Sequence, residues 1–158
     1  MLFRGPSSHQ IAIGLAALRL VVGAIFIAHG GQKLFVYGFD GVAGAFGQMG
    51  VPMAGIAGPF VALVEFLGGF ALLLGLLTRL ASLGLVSTMV GAIVLVHWPA
   101  GFFLPNGYEF ALSLLGSTVL LTLTGAGGWS VDALIARRLD RLKKSVVAAP
   151  RLNARRAA

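Results

Sequence analysis

Apolar residues run in four long blocks, at residues 11–31, 56–77, 80–97 and 108–125, and the polar positions gather between and after them. A helix that crosses a bilayer needs about 20 consecutive apolar residues. The pattern therefore predicts an all-α membrane protein, with a bundle of four transmembrane helices occupying residues 1–129. Thr78-Arg79 separates the second and third blocks as a tight hairpin, and Trp98-Pro99 ends the third because proline cannot continue a helix. Trp98, Tyr108 and Trp129 fall at block ends, where amphipathic rings favour the membrane interface. The first block does not read as a cleavable signal, since Arg19 lies inside it and no small-x-small site follows His29.

Two weaker patterns lie outside the blocks. Phe39, Val42, Phe46 and Met49 recur at helical spacing, which predicts a short amphipathic helix on the membrane surface. In residues 130–146, Val131, Leu134, Ile135, Leu142 and Val146 share one face and basic residues take the rest. That segment reads as an amphipathic interfacial helix, with Asp132 in its first turn favourable to the helix dipole. Residues 147–158 read as a basic, flexible tail.

Composition strengthens the membrane reading. The 158 residues are 58% hydrophobic and only 11% charged, with mean hydropathy +0.93, whereas soluble domains carry about 25% charged residues. Twelve Lys and Arg against five Asp and Glu leave a net charge of +7. Eight of those basic residues follow Trp129: Arg137, Arg138, Arg141, Lys143, Lys144, Arg151, Arg155 and Arg156. With Arg4 and Arg79, they place both termini and the 78–79 hairpin in the cytoplasm by the positive-inside rule. The same rule accounts for the tail without nucleic acid, and anionic lipid is the expected partner of residues 130–146. The chain has no cysteine, which excludes disulfides, iron–sulfur ligation and a thiol relay within it.

The chemistry resides in the few polar residues of the blocks. Charges in a bilayer core cost several kcal/mol and are rarely idle. Arg19 in the first block and Glu65 in the second are of opposite sign, and at about 1.5 Å per residue their depths come within reach of an arginine side chain. They are expected to form a buried ion pair. His29, Lys33, His97 and Glu109 fall near the outer end, with Glu65 just below, and together suggest a polar pocket. Phe26 and Phe102 are candidate apolar walls. On the fourth helix Glu109, Ser113, Gly116 and Ser117 share a face. No spacing motif supports a metal site, and the histidines sit too near the edge for haem.

These residues also carry a resemblance. LRLVVGAIFIAHGGQKL, GVPMAGIAGPFVALVEFLGGFALLLGLLTRLAS, HWPAGFF with Glu109 beyond it, and GAGGWSVDAL resemble the DoxX family, which is related to the DoxD and MauE groups. The likeness covers residues 15–135. It implies a four-helix protein of the bacterial or archaeal cytoplasmic membrane, linked to quinone-associated oxidoreductases, and its matching positions are Arg19, His29, Lys33, Glu65, Arg79, His97 and Glu109. The basic tail beyond Arg137 lies outside the family pattern.

Three functions fit. The first is an accessory or anchor subunit of a quinone-linked oxidoreductase, holding quinone in the outer pocket while other membrane or soluble redox subunits supply electrons. No residue here stores an electron and no covalent cofactor is expected, so the chain reads as an accessory subunit rather than a self-sufficient enzyme. The second is a non-catalytic structural or assembly subunit of a larger membrane complex, docked through glycine-rich faces. The third is a small transporter, disfavoured by the absence of broken helices.

Overall fold

A computed structural model describes residues 5–156, with side chains described through residue 144. Every regular element among them is helical. Helix α1 (Ser8–Gly31) starts at a capping box: Gln10 N–H donates to Ser7 Oγ at 3.2 Å, and Ser7 N–H donates to Gln10 Oε1 at 2.8 Å. This pairing satisfies two amides that the first turn leaves free. The helix continues as a π-helical stretch (Gln32–Tyr37) until Gly38, at φ 68°, turns the chain into α2 (Gly38–Gln48). After a short loop come α3 (Ala54–Leu74) and α4 (Thr78–Gly91). A second π-helical stretch (Ala92–His97) and one 3-10 turn (Trp98–Ala100) extend α4. Helix α5 (Glu109–Thr124) and α6 (Val131–Arg156) complete the chain.

Three stretches are long and apolar enough to cross a membrane: Ser8–Gln48, Ala54–Leu74 and Thr78–Ala100. The fourth block forms a shorter apolar helix, Glu109–Thr124. Helix α1 packs along α3, α3 along α4 and α4 along α5, while α1 and α5 meet at few points. The four helices thus form a ring with one loose seam. Phe26, Leu72, Leu85 and Leu121 fill its interior and are almost fully buried. The short helix α2 does not merely rest on a surface, since Val42 is buried and packs on Gly58 of α3. Helix α6 is continuous through Arg156, beyond the boundary expected near residue 146.

Glycines set the closest contact. A Cβ on Gly30 would lie 2.4 Å from the Phe66 amide nitrogen. One on Gly69 would lie 2.7 Å from the Ile27 amide, and one on Gly23 would lie 2.8 Å from the Gly69 carbonyl. Helices α1 and α3 therefore meet backbone to backbone, as small residues permit in membrane bundles. These contacts fix an antiparallel register in which Gly23 lies beside Gly69 and Gly30 beside Phe66.

The hairpin between α3 and α4 is tighter than expected. Gly75 and Leu77 turn the chain at φ 66° and 48°, and Thr78 and Arg79 already belong to the first turn of α4. Asp132 holds this turn from α6. Its carboxylate accepts from the amides of Leu77 at 2.8 Å and Thr78 at 3.0 Å, and its own amide donates to the Gly75 carbonyl at 2.9 Å. The Asp132 side chain thus serves the N-terminus of α4, where orphan amides and the helix dipole favour an anion. Arg79 lies at the opposite dipole end of α5, with Nη2 donating to the Leu123 carbonyl at 3.4 Å.

Candidate functional site

The α1–α3 register decides which charges meet. Lys33 stands one turn beyond Gly30, and Glu65 directly precedes Phe66. Lys33 Nζ donates to Glu65 Oε2 at 2.5 Å, and this is the ion pair of the described residues. Glu65 is 5% exposed and Lys33 21%. The expected Arg19–Glu65 pair does not form. Arg19 lies over Gly75, where a Cβ would collide with Nη1, and Nη2 donates to the Trp129 carbonyl at 2.6 Å. Gly75 is ten residues from Glu65, about 15 Å along a helix axis, which no arginine side chain spans. The expectation failed because it aligned the two helix ends. In the structure α1 begins about three turns before Arg19 draws level with the end of α3.

A cavity of about 490 Å³ opens at the His97 end of the bundle. Phe26, His29, Lys33, Glu65 and His97 line it, with an apolar wall that includes Phe46, Met49, Leu95, Leu104, Phe110 and Leu114. Four of the five sequence candidates for a polar pocket are thereby brought together. His29, Met49, Leu95, Leu104 and Phe110 are exposed and form its rim. His29 and Phe110 face each other across the loose α1–α5 seam, with ring centroids 6.0 Å apart.

Glu109, the fifth candidate, is not part of the lining. Its Oε1 accepts from the Leu104 amide at 2.8 Å, which ties down the loop after His97. Phe102 is also absent from the wall and instead packs edge-on against Tyr108 and Phe103. The hydroxyls of Ser113 and Ser117 bond to carbonyls of their own helix and take no part in the site. Helical spacing placed α2 on the membrane surface but not over a cavity, which its Phe46 reaches together with Met49 just beyond it. His9, which sequence patterning left aside, contacts Trp129 edge-on at the Gly75 end.

The His97 loop is firmly built. Trp98 stacks on Tyr108 at 5.3 Å and 12°. The amides of Tyr108 and Glu109 donate to the carbonyls of Gly101 and Phe102, each at 3.0 Å. A Cβ at Gly107 would lie within 2.5 Å of the Phe102 backbone, so only glycine lets the chain close here. The loop presents the Asn106 carbonyl 2.9 Å from His97 Nδ1.

The family model described as DoxX matches residues 14–98. The chain belongs to the DoxX family. A second model, described as the TQO small subunit DoxD, matches residues 59–150. The DoxX match covers α1 to α4 and the side chains of Lys33, Glu65 and His97. An uncharacterised membrane protein of Mycobacterium tuberculosis is 36% identical over 132 residues, covering 77% of this chain and 80% of its own length. A Bacillus subtilis protein named "Putative oxidoreductase CatD" is 34% identical over 125 residues, covering 78% and 87%. The Escherichia coli inner membrane protein YqjF is 32% identical over 132 residues, covering 80% and 95%. No solved structure matches this DoxX chain.

Proposed function

We propose that this protein is the membrane-embedded, quinone-holding subunit of an oxidoreductase system, with partner subunits supplying the electrons. The cavity carries this reading. Its volume, about 490 Å³, lies in the range of small-molecule sites, which are mostly apolar with a few placed polar groups. The residues present suit a quinone. Lys33 keeps ammonium donors for a carbonyl oxygen, and the apolar wall suits a substituted ring. The exposed rim along the α1–α5 seam leaves room for a hydrophobic tail on the lipid side. The name of the Bacillus subtilis relative and the DoxD description as a small subunit agree with a redox role beside other proteins.

Purified protein is expected to carry quinone in a lipid extract, and added alkyl-quinone is expected to raise its melting temperature. An extract without quinone, together with no stabilisation, would return the chain to a structural or assembly role.

Helix α5 is assigned as a fourth span, because it closes the ring between α1 and α4. Its 16 residues reach about 24 Å, which a thinned bilayer can match. Both termini then face the cytoplasm, and the His97 end and its cavity face outward. Helix α6 lies at the inner interface, anchored through Asp132. It exposes Leu134, Ile135, Leu139 and Leu142 to the membrane, and Arg137, Arg138, Arg141, Lys143 and Lys144 are exposed beside them. Each such cation contributes about 1 kcal/mol near anionic lipid. Reporter fusions at residue 146 and within residues 40–50 should therefore read opposite sides, and the same side for both would sink this topology.

A further inference from the structure

The unused hydrogen-bonding atoms of the cavity differ in kind from those of a general apolar pocket. A carbonyl oxygen accepts and never donates. The contact between His97 Nδ1 and the Asn106 carbonyl, at 2.9 Å, therefore puts the proton on Nδ1. In the neutral ring, Nε2 then carries a lone pair and accepts. The second unused atom is Glu65 Oε1. Its partner oxygen Oε2 takes the Lys33 ammonium, while Oε1 has no donor among the described residues. Both residues line the cavity. Two acceptors, one neutral and one anionic, are thus left open in the mostly apolar cavity, beside the remaining N–H donors of Lys33, which a quinone and a hydroquinone can use alike.

Such a site distinguishes ligands by whether they bring donors. A quinone has two carbonyl acceptors and leaves Nε2 and Oε1 unpaired. Its two-electron-reduced form, the hydroquinone, carries two hydroxyl donors. Sites built to bond a hydroxyl reject the analogue that lacks it, because buried polar groups are then stranded. We propose that the cavity is selective for the hydroquinone, with His97 Nε2 and Glu65 Oε1 accepting from its hydroxyl groups. This rests on the quinone reading of the site and names the redox form it takes. Binding of the hydroquinone forms and breaks no covalent bond. The Asn106 carbonyl and Glu109, which braces the loop at Leu104, act as positioning groups that hold the tautomer of His97.

Three matched probes test it on full-length protein in detergent: an alkyl hydroquinone, the corresponding quinone, and the hydroquinone dimethyl ether, which keeps the ring and loses both donors. The hydroquinone is expected to bind about tenfold more tightly than either other probe, as one or two added hydrogen bonds imply. His97→Phe should erase most of that preference. His97→Gln, whose amide donates to Asn106 and still offers an acceptor, should restore part of it and guards against a folding defect in the phenylalanine variant. Equal binding of all three probes, or tighter binding of the quinone, overturns the selectivity and leaves the pocket reading standing. Binding of none overturns both. A preference that survives unchanged in both His97 variants removes His97 from the assignment.

Discussion

Lys33→Met is expected to destabilise the protein more than Glu65→Gln, although the two residues form one ion pair. The difference follows from depth. Glu65 is 5% exposed and sits inside the bundle, whereas Lys33 is 21% exposed and lies just past the end of α1. Removing Lys33 strands a buried carboxylate, and breaking buried pairs this way typically costs about 3–5 kcal/mol. Removing the charge of Glu65 leaves a lysine whose flexible stem lets the ammonium reach the interface. The double variant Lys33→Met/Glu65→Met should recover much of the loss, since an apolar pair strands nothing. Arg19→Met should add to Glu65→Gln without coupling, because the two groups have no shared partner. Thermal melts in mild detergent give all five values. Coupling between Arg19 and Glu65, or equal and additive losses for Lys33 and Glu65, would contradict the pairing seen in the structure.

The second large effect is expected at the glycine seam. Gly30→Ala and Gly69→Ala each drive a methyl group into the backbone of the facing helix, to 2.4 Å from the Phe66 amide and 2.7 Å from the Ile27 amide. Backbone cannot rotate away as a side chain can, so α1 and α3 must separate. Overpacking of this kind costs about 1–3 kcal/mol. The functional cost should be larger, because this contact also sets Lys33 beside Glu65. Gly14 and Gly116 supply the control, since nothing lies within 4 Å of a Cβ built on either. Alanine there should be neutral or stabilising, by up to about 1 kcal/mol from helix propensity. If all four alanine variants melt alike, α1 and α3 are not in the close contact described.

The pocket candidates were legible because polar side chains inside apolar blocks, or just past their ends, are few and stand out singly. His29, Lys33, Glu65 and His97 could be picked one by one, and a common level follows from 1.5 Å per residue when the helix ends are known. Glu109 shared that level yet bonds into its own loop, since level alone does not say which way a carboxylate turns. Arg19 misled for a related reason. Opposite charge on neighbouring helices suggested a partner, but the spacing of charges says nothing about how far one helix slides along another.

The class of protein could be read from the chain before any folding: helices of membrane-spanning length, the glycine content that lets them approach, a basic segment after Trp129, and the family. These follow from hydropathy, composition and local motifs, which act within a few turns of chain. Tertiary structure alone decided the pairing of Lys33 with Glu65, the capping of α4 by Asp132, and the tautomer of His97. The first two depend on atoms far apart in sequence coming within about 3 Å, as hydrogen bonding requires, and the third on how the loop after His97 folds back. The placement of Gly30 against Phe66 brings Lys33 and Glu65 to that distance, and the backbone contact that does so is invisible until two helices are laid side by side.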